Sequence, residues 1–185
     1  RNDTAQAGDV LILGKPLGVG ILSAALQSGE LEAVGLDQMI ATTTRLNAVG
    51  ADLGGLLGVH AMTDVTGYGL LGHLWEICRA SGVGATVEVA RLPILASARE
   101  LAMRGLNTGA AGRNWASYGD NVSLPDTLSE WQRNILCDPQ TSGGLLVACG
   151  TDDVDRVLRL FHEQGHKEAC VIGAVKEGPI AVHVS

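Results

Sequence analysis

The sequence predicts an α/β (α+β) domain in which a mixed β-sheet is flanked by helices. The chain has 185 residues, of which 46% are hydrophobic but only 3% are aromatic, so its core must consist mainly of Leu, Val, Ile and Ala. Its 25 glycines fall mostly between periodic segments, as expected for many tight turns. The hydrophobic pattern predicts about six strands interleaved with five or six helices. Because the last two strands look hairpin-like, a purely doubly wound parallel sheet is excluded.

The first third of the chain begins with a strand. Val10–Leu13 is short and apolar, and Lys15 precedes a proline, which favours extended backbone and ends the strand. A helix is predicted over residues 17–27. Residues 36–57 carry apolar side chains three and four positions apart, which predicts one long amphipathic helix.

The middle of the chain continues the alternation. Residues 59–62 predict a strand, and a glycine-broken turn at 64–69 leads into a helix whose apolar stripe lies within 70–78. Residues 85–89 predict a strand and residues 96–103 a helix. The polar, glycine-rich stretch 105–126 predicts a long surface loop.

The last third predicts two helices and three strands. Thr127 and Glu130 have capping-box spacing at the start of one helix, and Thr151 is placed to cap the other, which Gly165 ends. The predicted strands span residues 145–149, 169–175 and 180–184, the last two joined through Gly178 and Pro179.

Charge and cysteine usage exclude several classes of protein. Lys plus Arg number 13 and Asp plus Glu 20, a net charge of −7, so nucleic acid is not an expected partner. No apolar stretch reaches the roughly 20 residues that a membrane helix needs, so no membrane partner is expected. The four cysteines form no CxxC pair, which favours reduced thiols and a cytoplasmic location.

The segment MTDVTGYGLLGHL at residues 62–74 is the first candidate for chemistry. Asp64 falls at the end of a predicted strand, Gly67 and Gly69 form a turn, and the next helix begins with free N–H groups. Such a turn can hold phosphate, and Asp64 becomes useful there if it binds Mg²⁺ that bridges to the phosphate. The alternative is structural: Asp64 caps the turn and the glycines permit it.

The second candidate is CDPQTSGGLL at residues 137–146. Thr141, Ser142 and nearby N–H groups would suit a phosphate or ligand contact, and the loop would equally suit a tight structural turn. Cys137 has no neighbouring His or Lys in sequence to lower its pKa, so a nucleophilic role is not supported.

Other motifs are absent or misleading. Residues 162–166, HEQGH, match the HExxH zinc pattern, but Gly165 should end the helix before His166, which favours a solvated helix end. There is no P-loop, and Gly18 and Gly20 lack the third glycine of a dinucleotide fingerprint. The five histidines form no cluster in sequence, so no hydrolase triad is argued.

The whole chain resembles selenophosphate synthetase (selenide, water dikinase), a family of the aminoimidazole-ribotide synthetase superfamily. The resemblance rests on residues 62–74 and 137–146, the opening RNDTAQAGDVLILGKPLG and the segment RNWASYG at 113–119. It implies the fold of the C-terminal domain of aminoimidazole-ribotide synthetase, and an activity that converts selenide, ATP and water to selenophosphate, AMP and phosphate. It also implies Mg²⁺ and ATP as cofactors, with Asp64 as a metal ligand. Nucleotide phosphate-binding residues are expected among Thr66, Gly67, Gly69, Asn114, Thr141 and Ser142.

The resemblance also implies a domain organisation. Residues 1–9 are expected to be an interdomain linker remnant and 10–185 the C-terminal domain, with the N-terminal catalytic domain as partner and a homodimer in the full enzyme. The family's nucleophilic Cys or selenocysteine and its Lys lie in that other domain, so this chain contains no catalytic residue and should be inactive alone. The alternatives are a non-catalytic nucleotide-binding or oligomerisation module, or a sister ATP-dependent enzyme of the superfamily.

Overall fold

The computed structural model describes all 185 residues and contains seven strands and eight α-helices. The strands are β1 Val10–Leu13, β2 Val59–Asp64, β3 Gly84–Val87, β4 Val122–Ser123, β5 Leu145–Cys149, β6 Cys170–Lys176 and β7 Val182–Val184. The helices are α1 Val19–Ser28, α2 Ala33–Thr44, α3 Val49–Leu53, α4 Gly69–Ser81, α5 Ala96–Met103, α6 Gly109–Tyr118, α7 Glu130–Leu136 and α8 Val154–Glu163.

All seven strands form one mixed sheet in the order β2-β5-β1-β6-β3-β7-β4. The neighbours from β2 to β3 pair antiparallel, whereas β7 pairs parallel with both β3 and β4. The predicted mixed sheet flanked by helices is therefore confirmed. The expected hairpin of the last two strands is wrong, because β3 lies between β6 and β7 and pairs with both.

Alternate residues of the central strands supply two cores on opposite faces of the sheet. Leu11 and Leu13 of β1 join a cluster of 33 buried residues that packs beneath helices including α1, α4 and α7. Ile12 joins a smaller cluster of 9 buried residues, to which α3 and α8 contribute. Both faces of the sheet are thus covered, one by the cluster of 33 buried residues and the other by a thin layer, the cluster of 9.

The single helix expected over residues 36–57 is two helices in the structure, α2 and α3. Arg45 has extended backbone angles at the end of α2, with φ −72° and ψ 117°. The carbonyl of Arg45 accepts a hydrogen bond from the Lys15 ammonium, and the side chain of Asn47 bonds to the carbonyl of Gly143. These tertiary contacts accompany a break in the helix at residues 45–47 despite a helical apolar pattern.

The surface loop expected over residues 105–126 is mostly structured. It contains α6, a 3₁₀ turn at Gly119–Asn121 and the short strand β4. The hydroxyl of Thr108 accepts a hydrogen bond from the Ala111 N–H and caps α6. Buried residues of this helix recur at positions 111, 114 and 118, a helical spacing that the polar composition concealed.

Two predicted caps are also wrong. At α7 the capping residues are Ser129 and Gln132, not Thr127 and Glu130. Thr151 does not cap α8, because Thr151–Asp153 form a 3₁₀ turn ahead of the helix. In both cases the helix begins two residues later than the sequence suggested.

The N-terminal segment 1–9 lies beside the edge strand β2. The carbonyl of Arg1 accepts a hydrogen bond from the Met62 N–H at 2.7 Å, and the Ala5 N–H donates to the Ser81 hydroxyl at 3.0 Å. Asp9 is buried and its carboxylate lies 2.7 Å from Nδ1 of His60. None of the helices is both long and apolar enough to cross a membrane.

Candidate functional site

Asp64 is the last residue of the edge strand β2, and its side chain is exposed to solvent. Its backbone faces Leu145, the first residue of β5, so the segments that follow β2 and precede β5 meet at one end of the sheet. The Val65 N–H donates to the Gly144 carbonyl at 2.9 Å, and the Gln140 N–H donates to the Thr66 carbonyl at 3.0 Å. The structure therefore joins the two sequence motifs into one site.

Glycine is required where the two loops touch. Gly69 has φ +70°, and a Cβ there would lie 2.6 Å from the backbone carbonyl carbon of Cys137. Both the backbone conformation and the close approach exclude a side chain at this position. The Gly69 N–H donates to the Thr66 carbonyl and closes the turn that starts α4.

Four exposed residues of these two loops have backbone N–H groups without an acceptor in the chain. Gly67 and Tyr68 precede α4, and Thr141 and Ser142 precede β5; none of their amides donates a hydrogen bond within the chain. Unpaired N–H groups beside a helix N-terminus favour an anionic ligand. The site thus offers backbone donors together with one exposed carboxylate, that of Asp64.

A hydrogen-bonded chain of side chains extends from this turn into α4. The Thr66 hydroxyl lies 3.0 Å from Nε2 of His73, and Nδ1 of His73 lies 3.0 Å from the Glu76 carboxylate. Because Glu76 accepts only from a protonated Nδ1, Nε2 is the acceptor of the Thr66 hydroxyl in the neutral ring. The hydrogen bonds among Thr66, His73 and Glu76 were not predicted from the sequence, although His73 and Glu76 have the three-residue spacing of neighbours on one helix face.

Asn114 joins the loops from the side of α6. Its Nδ2 donates to the Gly67 carbonyl at 2.8 Å and to the Cys137 carbonyl at 3.0 Å, which engages both of its N–H bonds. The Tyr118 hydroxyl donates to the Tyr68 carbonyl at 2.8 Å. The segment around Asn114 therefore fixes the turn that carries Gly67 and Tyr68.

Asp138 and Gln140 cap another helix, α1. The Asp138 carboxylate accepts from the N–H groups of Gly20 and Ile21, and the side-chain oxygen Oε1 of Gln140 accepts from those of Gly18 and Val19. The free N–H groups at the start of α1 are thus bound by the protein's own side chains. Asp138 and Gln140 of the 137–146 motif therefore have a structural role, whereas Thr141 and Ser142 of the same motif are exposed.

Burial dominates the ionisation of Asp138. The carboxyl group is fully buried, and burial raises its pKa from the ordinary 3.8 to about 7, although four hydrogen bonds oppose the shift. Burial also raises the pKa of the Cys137 thiol, which disfavours its thiolate form.

The HExxH match does not form a metal site. His162 lies on α8, whereas His166 lies beyond the end of that helix, as predicted. His166 is not solvated, however: it is 1% exposed and its ring packs edge-on against Phe161. The chain contains no group of three or more His, Cys, Asp or Glu side chains placed to hold a metal ion.

Asp64 nevertheless fits one role in a magnesium site. Mg²⁺ in phosphate-binding sites keeps several waters and takes one or two carboxylates together with phosphate oxygens. A single exposed carboxylate beside unpaired backbone N–H groups matches that ligand set in part. Further carboxylates would have to come from outside this chain.

The fold and this site define the class of protein. Residues 6–185 match the family model described as AIR synthase related protein, C-terminal domain, and the chain belongs to that family.

Among its relatives, the chain is 55% identical over 185 residues to selenide, water dikinase of Burkholderia ambifaria and 56% identical over 184 residues to that of Paraburkholderia xenovorans. Each alignment covers 100% of this chain and 52% of the relative. The same enzyme of Rhizobium meliloti is 47% identical, with 53% of its length covered. The chain thus spans about half the length of the curated relatives it matches.

Solved structures share the fold at lower identity. E. coli HypE matches with a TM-score of 0.71 and 22% identity, covering 100% of this chain and 48% of that one. Thiamine-monophosphate kinase from Stenotrophomonas maltophilia matches with a TM-score of 0.66 and 22% identity, covering 100% and 52%. These likenesses establish the architecture, and the mixed sheet flanked by helices is that of this structural class.

Proposed function

We propose that this chain is the C-terminal half of an ATP-dependent selenophosphate synthetase and forms one wall of its Mg-ATP site. The reaction converts selenide, ATP and water to selenophosphate, AMP and phosphate. The observation that carries the proposal is that exposed Asp64 ends the strand leading into two joined loops, and that these loops carry four unpaired N–H groups. The 55% identity to a selenide, water dikinase over the whole chain supports this reaction over others.

The residues divide into those that bind and those that position. The amides of Gly67, Tyr68, Thr141 and Ser142 would donate to phosphate oxygens, which stabilises the charge of the polyphosphate. Asp64 would hold Mg²⁺, and the ion supplies charge neutralisation when bound.

The other expected phosphate-binding residues act through the loops. Gly69 donates its N–H to Thr66, and both Asn114 N–H bonds are engaged, so these two residues maintain the turn rather than contact phosphate. The Thr66 hydroxyl is bonded to His73, which fixes its orientation.

This chain supplies only part of a catalytic site. It has one candidate metal ligand and no activated nucleophile, since the thiol pKa values of all four cysteines are raised by burial. We therefore expect the chain alone to be inactive and to need the other half of the full-length protein. We expect that full-length enzyme to be cytoplasmic and a homodimer.

The test is Asp64→Asn in the full-length protein, followed by phosphorus NMR with Mg-ATP and selenide under anaerobic conditions. Loss of one electrostatic ligand should lower turnover by roughly 100-fold or more and weaken the dependence on Mg²⁺. Asp155→Asn on α8 is the matched control, because this exposed carboxylate lies on a helix outside the two joined loops and should leave turnover unchanged. Full activity of Asp64→Asn would refute the assignment.

The wild-type spectrum separates the alternatives. Selenide-dependent selenophosphate together with AMP supports the dikinase, whereas ADP as the sole nucleotide product indicates a sister ATP-dependent enzyme of the superfamily. Unchanged ATP in a folded full-length protein would indicate a non-catalytic nucleotide-binding or oligomerisation module.

A further inference from the structure

Lys15 is buried at the end of β1 and has no carboxylate partner. Its side chain is 1% exposed, and none of the ion pairs in the chain includes it. The ammonium instead donates to the Arg45 carbonyl at 2.6 Å and to the Ser142 carbonyl at 2.7 Å. A buried charge without a counter-ion is unfavourable, so its retention calls for a reason.

Burial and the charge of Arg45 both lower the pKa of Lys15. The ammonium is compensated by the pair of carbonyl oxygens, which belong to segments far apart in sequence. Lys15 therefore ties the end of β1 to the break between α2 and α3 and to the loop before β5.

Ser142, whose carbonyl Lys15 binds, has an unusual backbone. Its φ of +50° makes it the single non-glycine residue of the chain with a positive φ. An L-residue rarely adopts this conformation unless the surroundings impose it, and such residues cluster at functional sites. The next carbonyl, that of Gly143, accepts from Nδ2 of Asn47 at 2.8 Å, so two consecutive carbonyls are held by side chains.

The held residues belong to the candidate site. Thr141 and Ser142 carry two of the four unpaired N–H groups, and the flanking residues Gln140 and Gly144 bond to the turn that follows Asp64. The left-handed conformation at Ser142 sets the direction of the neighbouring peptide planes, and hence of these N–H groups.

We propose that Lys15 is a positioning residue for phosphate binding: its ammonium holds Ser142 in the left-handed conformation that presents the amides of Thr141 and Ser142 beside Asp64. This inference rests on the proposed function, because it assigns those amides to the phosphates of Mg-ATP. Lys15 itself does not touch the nucleotide.

The test uses Lys15→Met in the full-length enzyme, which keeps an unbranched apolar side chain, one atom shorter, and removes the ammonium. We expect the dissociation constant for Mg-ATP, measured by calorimetry, to rise about tenfold and the KM for Mg-ATP to rise with it. The KM for selenide should stay unchanged. A merely structural loss would lower kcat through a smaller active fraction and leave both KM values unchanged. Lys167→Met is the matched control, since Lys167 is exposed. This substitution should leave the Mg-ATP dissociation constant, both KM values and kcat unchanged.

A second variant covers the case in which Lys15→Met does not fold. Asn47→Ala removes only the contact to Gly143 from a half-buried residue, and it should raise the Mg-ATP dissociation constant about threefold.

A double-mutant cycle tests the backbone argument without any activity. Glycine adopts positive φ freely, so the unfolding midpoint should shift less on Lys15→Met in a Ser142→Gly background than in wild type.

Failure of the proposed function and failure of the Lys15 inference give different results. Wild-type enzyme that does not bind Mg-ATP overturns the proposed function and this inference together. Normal Mg-ATP binding by folded Lys15→Met or Asn47→Ala overturns only this inference, as do additive midpoint shifts in the cycle.

Discussion

Two aspartates show how position alone changes the chemistry of one side chain. Asp64 ends an edge strand and is exposed, whereas Asp138 is fully buried and accepts hydrogen bonds from two N–H groups of α1, from Thr108 and from Gln140. The first is available to a ligand. The second belongs to the interior and is coupled to the stability of the fold.

Asp138→Asn should remove a pH-dependent part of the free energy of unfolding. Because the folded-state pKa of about 7 lies above the ordinary 3.8, the folded protein holds this proton more tightly than the unfolded chain. Its contribution to stability is therefore complete below about pH 4 and is lost as the pH rises towards 7. Between pH 5 and pH 8, wild type should lose on the order of 2 kcal/mol more than Asp138→Asn, measured by urea unfolding.

The asparagine variant is a close control for shape. Its amide oxygen can accept from the N–H groups of Gly20 and Ile21, and its NH₂ can face the Thr108 hydroxyl. Equal pH dependence in wild type and variant would show that Asp138 is ionised across this range.

At the scale of secondary structure elements, tertiary contacts decided where the helices begin and end. The Gln132 side-chain oxygen accepts from the Ser129 N–H at 2.9 Å and from the Ser129 hydroxyl at 2.7 Å at the start of α7. Glu130, which the sequence placed in the capping box, is exposed and pairs only with Arg133 at 3.6 Å.

Gln132→Ala should consequently destabilise the protein by about 1 kcal/mol, the usual cost of removing a helix cap. Glu130→Ala should change the free energy of unfolding by less than about 0.5 kcal/mol, because an exposed ion pair on a helix contributes little. Urea unfolding of both variants at one pH compares them directly. A larger loss of unfolding free energy in Glu130→Ala than in Gln132→Ala would support the capping box of Thr127 and Glu130 that the sequence suggested.

At the scale of the whole molecule, the two faces of the sheet are unequal. The smaller core holds α3 and α8 through nine buried residues, and Phe161 is its one aromatic ring. The ring packs so closely on Gly14, the residue after β1, that a Cβ there would lie 2.6 Å from Cε1 of Phe161. This layer therefore depends on one large side chain.

Phe161→Ala should cost about 3–5 kcal/mol, the range measured for truncation of a buried aromatic residue. The loss should appear as a lower midpoint of thermal unfolding. Leu57→Ala serves as the control, because Leu57 is 99% exposed and its truncation should shift stability by no more than about 0.5 kcal/mol. A loss below 1 kcal/mol in Phe161→Ala would mean that the thin layer repacks.

The sequence predicted those parts of the fold that depend on local pattern. Strands β1 and β5 and helix α5 lie where the apolar periodicity placed them, because buried runs bounded by turn residues have few alternatives. The stretch over residues 36–57 shows the limit of this argument. Its periodicity continues across a break that only the contacts of Lys15 and Asn47 impose.

The candidate site divides in the same way. Sequence alone singled out Asp64 with its glycine turn, and it singled out the 137–146 motif, because each motif combines a carboxylate or hydroxyls with glycines in a short segment. Tertiary structure decided three further features. It brings the two motifs together in one site, it places Asp138 and Gln140 at the start of α1, and it bonds Lys15 to the Ser142 carbonyl. The physical reason is that local pattern reflects backbone preference and amphipathicity, whereas hydrogen bonds between residues more than a hundred positions apart depend on how the sheet orders its strands.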